Sequence, residues 1–179
     1  SNTGYSSQFP IAAASLYVAG DSIITGDITA NGRVSSARVY ADAIVSVAKL
    51  LTTSFVQIPM GLFRNAASSA NFTITAGEVV IGVTGDYLVS LRVGVYMTAG
   101  GTRSGIHGRL AKNGSIQAGF RVSIYSRMIA LGHGSSSSTG IISCQSGDTL
   151  RVEAQHYWGQ AGGDICYSSL ETGLTLLLL

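Results

Sequence analysis

The stretch Thr84-Gly85-Asp86-Tyr87-Leu88-Val89-Ser90-Leu91 joins a turn signal to an apolar run that continues to Tyr96. Glycine and aspartate favour turns, whereas aromatic and β-branched residues favour strands. Comparable short runs recur along residues 52–179 and are separated by turn signals, which together predict an all-β sandwich or barrel. The predicted runs are 55–58, 72–75, 78–83, 87–96, 105–111, 115–125, 140–144, 150–157 and 170–179.

The clearest turn signal is Lys112-Asn113-Gly114-Ser115, because Asn-Gly suits the type I′ geometry of a two-residue β-hairpin. Helix signals are nearly absent from a chain with 23 glycines. Residues 41–51 are the one segment that could form a short helix, and their β-branched side chains leave that assignment open.

The composition predicts an oligomer. Hydrophobic residues make up 46% of the 179 residues and charged residues only 11%, against roughly 25% charged residues in typical soluble domains. A surface with so few charges is expected to be covered by other subunits. The net charge is +2 and there is no basic run, which argues against nucleic-acid binding. The apolar ending, residues 174–179, is far shorter than the roughly 20 residues of a membrane-spanning helix, so we expect no membrane insertion.

Residues 1–14 have no periodicity and cannot form a core of their own. Their apolar side chains Tyr5, Phe9 and Ile11 suit a groove in a partner protein better than water. We therefore predict that residues 1–14 are an anchoring arm.

Residues 15–51 are predicted to be a fibrous stalk and linker. Gly20, Gly26 and Gly32 are spaced by six, and each belongs to a turn pair. A repeat this narrow cannot bury its apolar side within one chain and needs neighbours. Three chains wound together would bury Ile24, Ile28 and Val34 along a common axis. The alternative is a pair of ordinary hairpins in a glycine-rich chain.

The run Gly85-Asp86-Tyr87-Leu88-Val89-Ser90-Leu91 resembles the glycine-x-tyrosine-x-hydrophobic strand of the complement-head and tumour-necrosis-factor-like jelly roll. Other landmarks follow in family order: the Lys112-Asn113-Gly114 hairpin, Gly147-Asp148-Thr149-Leu150-Arg151-Val152 and the apolar ending 176–179. The resemblance implies that residues 52–179 form an antiparallel jelly-roll head, and that this head is a homotrimer. The expected fold is thus all-β, with a short fibrous stalk followed by a trimeric head.

The segments Val18-Ala19-Gly20-Asp21 and Ile24-Thr25-Gly26-Asp27 are similar to the fibre repeats of bacteriophage tail and head appendages. Together with the head, this resemblance implies a structural virion protein that is assembled in the host cytoplasm and displayed on the virion surface. We interpret the chain as a trimeric capsid decoration (head fibre) protein. Residues 1–14 would bind the major capsid protein or another virion protein, and the head would stabilise the shell and secondarily adhere to surfaces.

Two other functions stay open. One is a short tail fibre or tail-tip receptor-binding protein. The other is a secreted jelly-roll ligand or lectin, which we place last because no basic segment followed by an apolar run is visible near residue 1.

No catalytic set is apparent, so we expect neither an enzyme nor a cofactor. His107, His133 and His156 lie in different segments, and none has a second ligand at metal-binding spacing. Cys144 and Cys166 could pair, although we expect free thiols in a protein assembled in a reducing cytoplasm.

Host-surface recognition requires exposed loops with an aromatic anchor. Residues 99–104 and 132–140 are expected to be flexible Gly- and Ser-rich loops without one. Residues 157–164 contain Tyr157, Trp158 and Gln160, which we predict to contact a host glycan or receptor. An alternative is that Trp158 packs at the seam between subunits.

Overall fold

The computed structural model describes residues 39–66, 71–99, 104–126, 133–158, 165–168 and 171–179. These residues all belong to one unit, Ala37–Leu179, and form two antiparallel sheets of six strands each. Within those ranges no helix is long and apolar enough to cross a membrane. The strands are β1 (Tyr40–Val45), β2 (Val56–Ile58), β3 (Met60–Ala66), β4 (Phe72–Thr75), β5 (Glu78–Ile81), β6 (Gly85–Ala99), β7 (Ser104–Lys112), β8 (Ser115–Ser126), β9 (His133–Cys144), β10 (Thr149–Trp158), β11 (Ile165–Ser168) and β12 (Gly173–Leu178).

The first sheet is organised around β6. Strand β9 pairs with it along one edge, and β12 and β11 follow one another along the other edge. Strand β1 then pairs with β12, and β3 pairs with β1. The order across the sheet is therefore β9, β6, β12 with β11, β1 and β3.

The second sheet is organised in the same way around β10. Strand β7 pairs along one edge of β10, and β5 and β2 share the other edge. Strand β8 lies outside β7 and β4 lies outside β5.

The core lies between the two sheets, and alternate residues of β6 supply much of it. Val89, Leu91 and Val93 are fully buried, as are Leu150 and Val152 of β10. Because successive side chains of a strand point to opposite faces, this burial fixes which residues of β6 face outward.

Tyr87 is the largest fully buried side chain among the residues that the structure describes. Its ring meets the edge of Phe72 with the centroids 6.0 Å apart, and its hydroxyl donates a hydrogen bond of 2.7 Å to the carbonyl of Val83. A buried tyrosine needs such a partner for its hydroxyl. The turn before β6 provides this partner, which explains why a tyrosine fits at the start of this strand.

Two-residue turns with positive φ close two hairpins. Asn113 (φ 50°) and Gly114 (φ 77°) join β7 to β8, which confirms the predicted type I′ turn. Ala76 (φ 50°) and Gly77 (φ 78°) join β4 to β5 in the same way. The sequence did not reveal this second turn, because alanine rarely adopts a positive φ.

The predicted all-β class and antiparallel pairing are confirmed, and each of the nine predicted runs corresponds to a strand. Strands β1, β3 and β11 were not predicted. Residues 41–51 begin with strand β1 instead of a short helix, because β1 pairs with strands on both of its edges. This strand and the buried Leu51 belong to the sandwich, although they lie within the range 15–51 that we assigned to the stalk and linker.

The prediction of a flexible loop over residues 132–140 is wrong for residues 133–140. They form the first part of β9, which pairs with β6 over twelve register positions from Gly85 to Tyr96. Backbone pairing does not require large side chains, and the small residues of β9 let it approach β8 of the other sheet. The Ser138 hydroxyl donates to the carbonyl of Gly119 at 3.0 Å, and Gly140 lies against the Phe120 ring.

Gly108 of β7 marks a close approach of the two sheets, and we expect Gly108→Ala to destabilise the protein. An added Cβ would lie 2.6 Å from Cγ2 of Val93 and 2.7 Å from Cγ2 of Val122, and both side chains are buried. Overpacking of this kind costs about 1–3 kcal/mol of the free energy of unfolding. Urea titration at one fixed protein concentration, followed by the fluorescence of the single tryptophan, measures this loss.

The matched control is Gly119→Ala in β8, where no heavy atom lies within 4 Å of the added Cβ. Its free energy of unfolding should stay within about 0.5 kcal/mol of the parent. Equal losses for the two variants would contradict the close approach at Gly108.

Candidate subunit interface

The outer face of the first sheet carries a row of large apolar side chains across four strands. Leu88 of β6 is the register partner of Ile141 in β9 and of Leu177 in β12, and Leu177 is the partner of Tyr40 in β1. Ile141 is 62% exposed and Leu88 is 37% exposed, while Tyr40 and Leu177 are half-buried. Cross-strand partners lie about 4.5–5.5 Å apart at their Cβ atoms, so the four side chains form one continuous stripe. We call it the apolar row.

A second apolar pair lies on the same face nearer β3. Ile44 of β1 is the register partner of Leu62 of β3, and Leu62 is 44% exposed. Exposed apolar side chains that stand singly are ordinary, but contiguous ones mark an interaction surface. The outer face of this sheet therefore has the character of an interface.

A charged network centred on Asp42 lies between these apolar groups. Asp42 is only 7% exposed, although its side chain points away from the core. One oxygen of Asp42 accepts hydrogen bonds from Nε and Nη2 of Arg64, at 2.9 and 2.5 Å. The other accepts from Nη2 of Arg92 at 2.7 Å and from the Thr175 hydroxyl at 3.1 Å. Both carboxylate oxygens are thus fully used.

Gly173 makes the contact between Arg92 and Asp42 possible. Arg92 lies on β6 and Asp42 on β1, and Gly173 of β12 lies between them as the register partner of Arg92. A Cβ at Gly173 would lie 3.2 Å from Nη2 of Arg92 and only 2.3 Å from the carbonyl oxygen of Ala43. The Arg92 side chain can cross β12 because this position has no side chain.

The ionisation of Asp42 is coupled to this network. Burial by itself would raise the pKa of Asp42, but hydrogen bonds from Arg64 and Arg92 and the charge of Arg92 hold that pKa below its usual value. The carboxylate is therefore charged at neutral pH and joins three strands of the sheet through its partners on β3, β6 and β12.

A groove with a volume of about 420 Å³ opens beside the network and is lined by Arg64, Arg92, Val93, Gly94, Ser135, Ser136, Ser137 and Glu171. A second groove, of about 380 Å³, continues it past Ser135 and Glu171 to His133. There the His133 ring stacks on Tyr96 with the centroids 6.1 Å apart. The polar part of this outer face therefore contains grooves, whereas the apolar row forms a stripe across the strands.

The outer face of the second sheet is different, because its central feature is a chain of ion pairs. Nε of Arg109 contacts Glu153 at 2.6 Å, and Arg151 contacts Glu153 at 2.7 Å and Glu78 at 3.3 Å. The guanidinium carbon of Arg109 lies 3.6 Å from the centroid of the Phe55 ring. Because ion pairs, and not register-paired large apolar side chains, occupy the middle of this face, we assign the interface character to the first sheet.

The anchoring and stalk residues predicted from the sequence, Tyr5, Phe9, Ile11, Ile24, Ile28 and Val34, lie outside the described residues, as does Gln160. Tyr157 and Trp158 end strand β10, and the structure describes their backbone only. The predicted recognition contact at Tyr157, Trp158 and Gln160 therefore stays a prediction.

The two cysteines do not pair within one chain. Cys144 is opposite Gly85 and Cys166 is opposite Met97, twelve positions further along β6. That separation is roughly 40 Å at about 3.3 Å per residue, whereas a disulfide needs Cα atoms within about 7 Å. Cys144 is buried as a free thiol, and burial raises its pKa.

His107, His133 and His156 lie on the three different strands β7, β9 and β10. Among the residues that the structure describes, no three His, Cys, Asp or Glu side chains are grouped closely enough to hold a metal ion.

Comparison with known proteins identifies the fold. No family model matches the chain, and no curated protein matches it. Among solved structures, the globular domain of zebrafish complement 1qA aligns with a TM-score of 0.50 and 12% identity, over 79% of this chain and 97% of that one. Murine APRIL at pH 8.5 aligns with a TM-score of 0.49 and 18% identity, over 79% of this chain and 99% of that one. The likeness to the complement domain shows the fold alone, and it confirms the predicted jelly-roll head.

We expect Asp42→Asn to lower the free energy of unfolding at pH 7 by about 1–3 kcal/mol, because it leaves Arg64 and Arg92 without their shared anion. The folded pKa of Asp42 is lowered, so its stabilisation is present above the unfolded pKa of about 3.9 and is lost as the pH falls through the folded pKa. The difference between parent and variant should therefore shrink below about pH 4.

Urea titrations between pH 7 and about pH 3 measure this difference. Asp86→Asn is the control, because Asp86 is exposed and, among the described residues, its carboxylate accepts a side-chain hydrogen bond from Ser143 alone. A pH-independent loss for Asp42→Asn, or an equal loss for both variants, would show that the charged network does not stabilise the sheet.

Proposed function

We propose that the chain is a non-enzymatic structural protein whose jelly-roll head forms a homotrimer through the outer face of the first sheet. The observation that carries this proposal is the apolar row of Tyr40, Leu88, Ile141 and Leu177. Four large apolar side chains in contact across four strands are unfavourable in water, and covering them is favourable.

The energetic argument follows from burial. Complete burial of one large apolar side chain contributes about 1.5–3 kcal/mol relative to leaving it exposed. In a closed ring all contacts between neighbouring subunits are equivalent, so the gain repeats at each of them. The low charge of the whole chain, 11% of its residues, supports the same conclusion from composition.

The Asp42 network fits this role as well. It lies beside the apolar row and is satisfied within one chain, so burial of this face leaves no carboxylate of the network without a partner. A partner that covers the row would also meet Arg64, whose side chain is 55% exposed, beside it. Protein interfaces commonly combine apolar contacts with hydrogen-bonded polar groups.

We further propose that this homotrimer is a bacteriophage capsid decoration protein, or head fibre, on the virion surface. The glycine repeat over residues 15–45 and the apolar side chains of residues 1–14 support this function from the sequence. In this proposal the arm binds a capsid protein, the stalk joins the arm to the head, and the head reinforces the shell. A tail fibre and a secreted jelly-roll ligand are the competing functions.

Ile141→Glu should prevent the homotrimer from forming. The side chain is already 62% exposed, so a charge there leaves the core intact but cannot be buried against a partner without a large cost. Light scattering during size-exclusion chromatography of the full chain at micromolar concentration measures the molar mass. The parent should have the mass of three chains and the variant the mass of one chain.

Ile116→Glu is the matched control, because Ile116 is 44% exposed but lies at the β7–β8 hairpin, away from the apolar row. It should keep the mass of three chains. A parent that is monomeric, or an Ile141→Glu variant with the parent's mass, would overturn the proposed interface.

Deletion of residues 1–14 tests the placement on the virion. We expect the truncated protein to stay trimeric and to be lost from capsids when it is produced during phage infection. Unchanged occupancy on the capsid would show that residues 1–14 are not the anchor. Occupancy on tails alone would assign the chain to a tail fibre, and absence from all virions in the parent would leave the secreted ligand.

A further inference from the structure

A pocket with a volume of about 290 Å³ opens on the outer face of the second sheet. Its walls come from β7, β8 and the residue before β2, so it lies entirely within one chain. It is separate from the apolar row, which lies on the first sheet. The lining residues are Phe55, His107, Gly108, Arg109, Arg121, Val122 and Ser123.

The two arginines of the pocket differ in their partners. Arg109 is held in place, because its Nε donates to Glu153 at 2.6 Å and its guanidinium lies on the Phe55 ring. Arg121 is the register partner of Arg109 and is exposed. In the described part of the chain no carboxylate forms an ion pair with Arg121.

The charges around the pocket leave an excess cation. Glu153 and Glu78 are the carboxylates of this ion-pair chain, and they are shared between Arg109 and Arg151. Three arginines therefore face two carboxylates once Arg121 is included. A guanidinium without an acidic partner is well suited to bind an oxyanion through two parallel hydrogen bonds.

The remaining walls provide neutral polar groups. His107 of β7 is the register partner of Ser123 of β8. Burial and then the nearby charge of Arg121 lower the pKa of His107, so its ring is neutral at pH 7. A neutral imidazole and a hydroxyl can each donate or accept hydrogen bonds, as the hydroxyl groups of a sugar require.

We propose that this pocket binds the carboxylate of an acidic monosaccharide unit, with Arg121 pairing with the carboxylate and His107 and Ser123 contacting the hydroxyl groups. Phe55 supplies the apolar wall that such pockets use beside their few polar groups. The pocket is large enough for one sugar ring. It needs no second subunit, so the proposal stands or falls independently of the homotrimer.

Isothermal titration calorimetry of the full chain with glucuronate at low salt tests the proposal. Glucuronate should bind with an affinity about tenfold or more above that of glucose, because only the acid pairs with Arg121. Inorganic sulfate is the third probe. Sulfate that binds as tightly as glucuronate would overturn the sugar assignment, since the pocket would then recognise a free oxyanion only.

Arg121→Gln should weaken glucuronate binding about tenfold or more and leave the urea midpoint unchanged, because Arg121 is exposed. Lys49→Gln removes one positive charge from an exposed position outside the pocket and should bind as the parent does. Ser123→Asp, which adds a carboxylate to the pocket wall, should abolish binding while Arg121 is kept. Equal effects of Arg121→Gln and Lys49→Gln, or no effect of Ser123→Asp, would overturn the proposal.

Discussion

Strand β6 pairs with β9 along one edge and with β12 and β11 along the other, and its side chains alternate between two environments. Tyr87, Val89 and Leu91 fill the core, so Leu88 and Arg92 must face outward. A shift of one residue in this register would move the whole apolar set to the wrong face. The apolar row and the Asp42 network both depend on this one constraint, because Leu88 belongs to the row and Arg92 to the network, and the other members continue them onto the adjoining strands.

The two outer faces of the sandwich are chemically distinct, and this asymmetry supports a division of roles. The first sheet presents apolar side chains around an anion, Asp42, that is already satisfied by Arg64 and Arg92. The second sheet presents arginines held by Glu153 and one, Arg121, whose guanidinium is available to a ligand. In the proposed trimer, the first face joins subunits and the second stays exposed on the assembled head. One jelly-roll domain can therefore form the oligomer through one sheet and bind a ligand on the opposite sheet.

Local signals in the sequence were sufficient for most of the head. Alternating runs predicted nine strands, and Asn113-Gly114 predicted a hairpin, because strand periodicity and type I′ turns depend on neighbouring residues. Strand β1 and the serine-rich part of β9 were missed because pairing on their edges, and not their own composition, makes them strands. The apolar row was missed for a related reason. Leu88 and Ile141 are distant in sequence, and only the register of β6 with β9 shows that they touch. The arm and stalk residues depend on partners, so their roles rest on the sequence alone.

If another copy of this chain covers the apolar row, a photoreactive phenylalanine analogue at position 141 of the full chain should cross-link to that copy. A separate protein with the analogue at position 116 is the control. Irradiation of the first protein should give covalently joined species with the mass of two or more chains. The second protein should give far fewer joined chains, because position 116 lies at the β7–β8 hairpin. Single chains alone from position 141, at micromolar concentrations of folded protein, would show that no second copy covers the row.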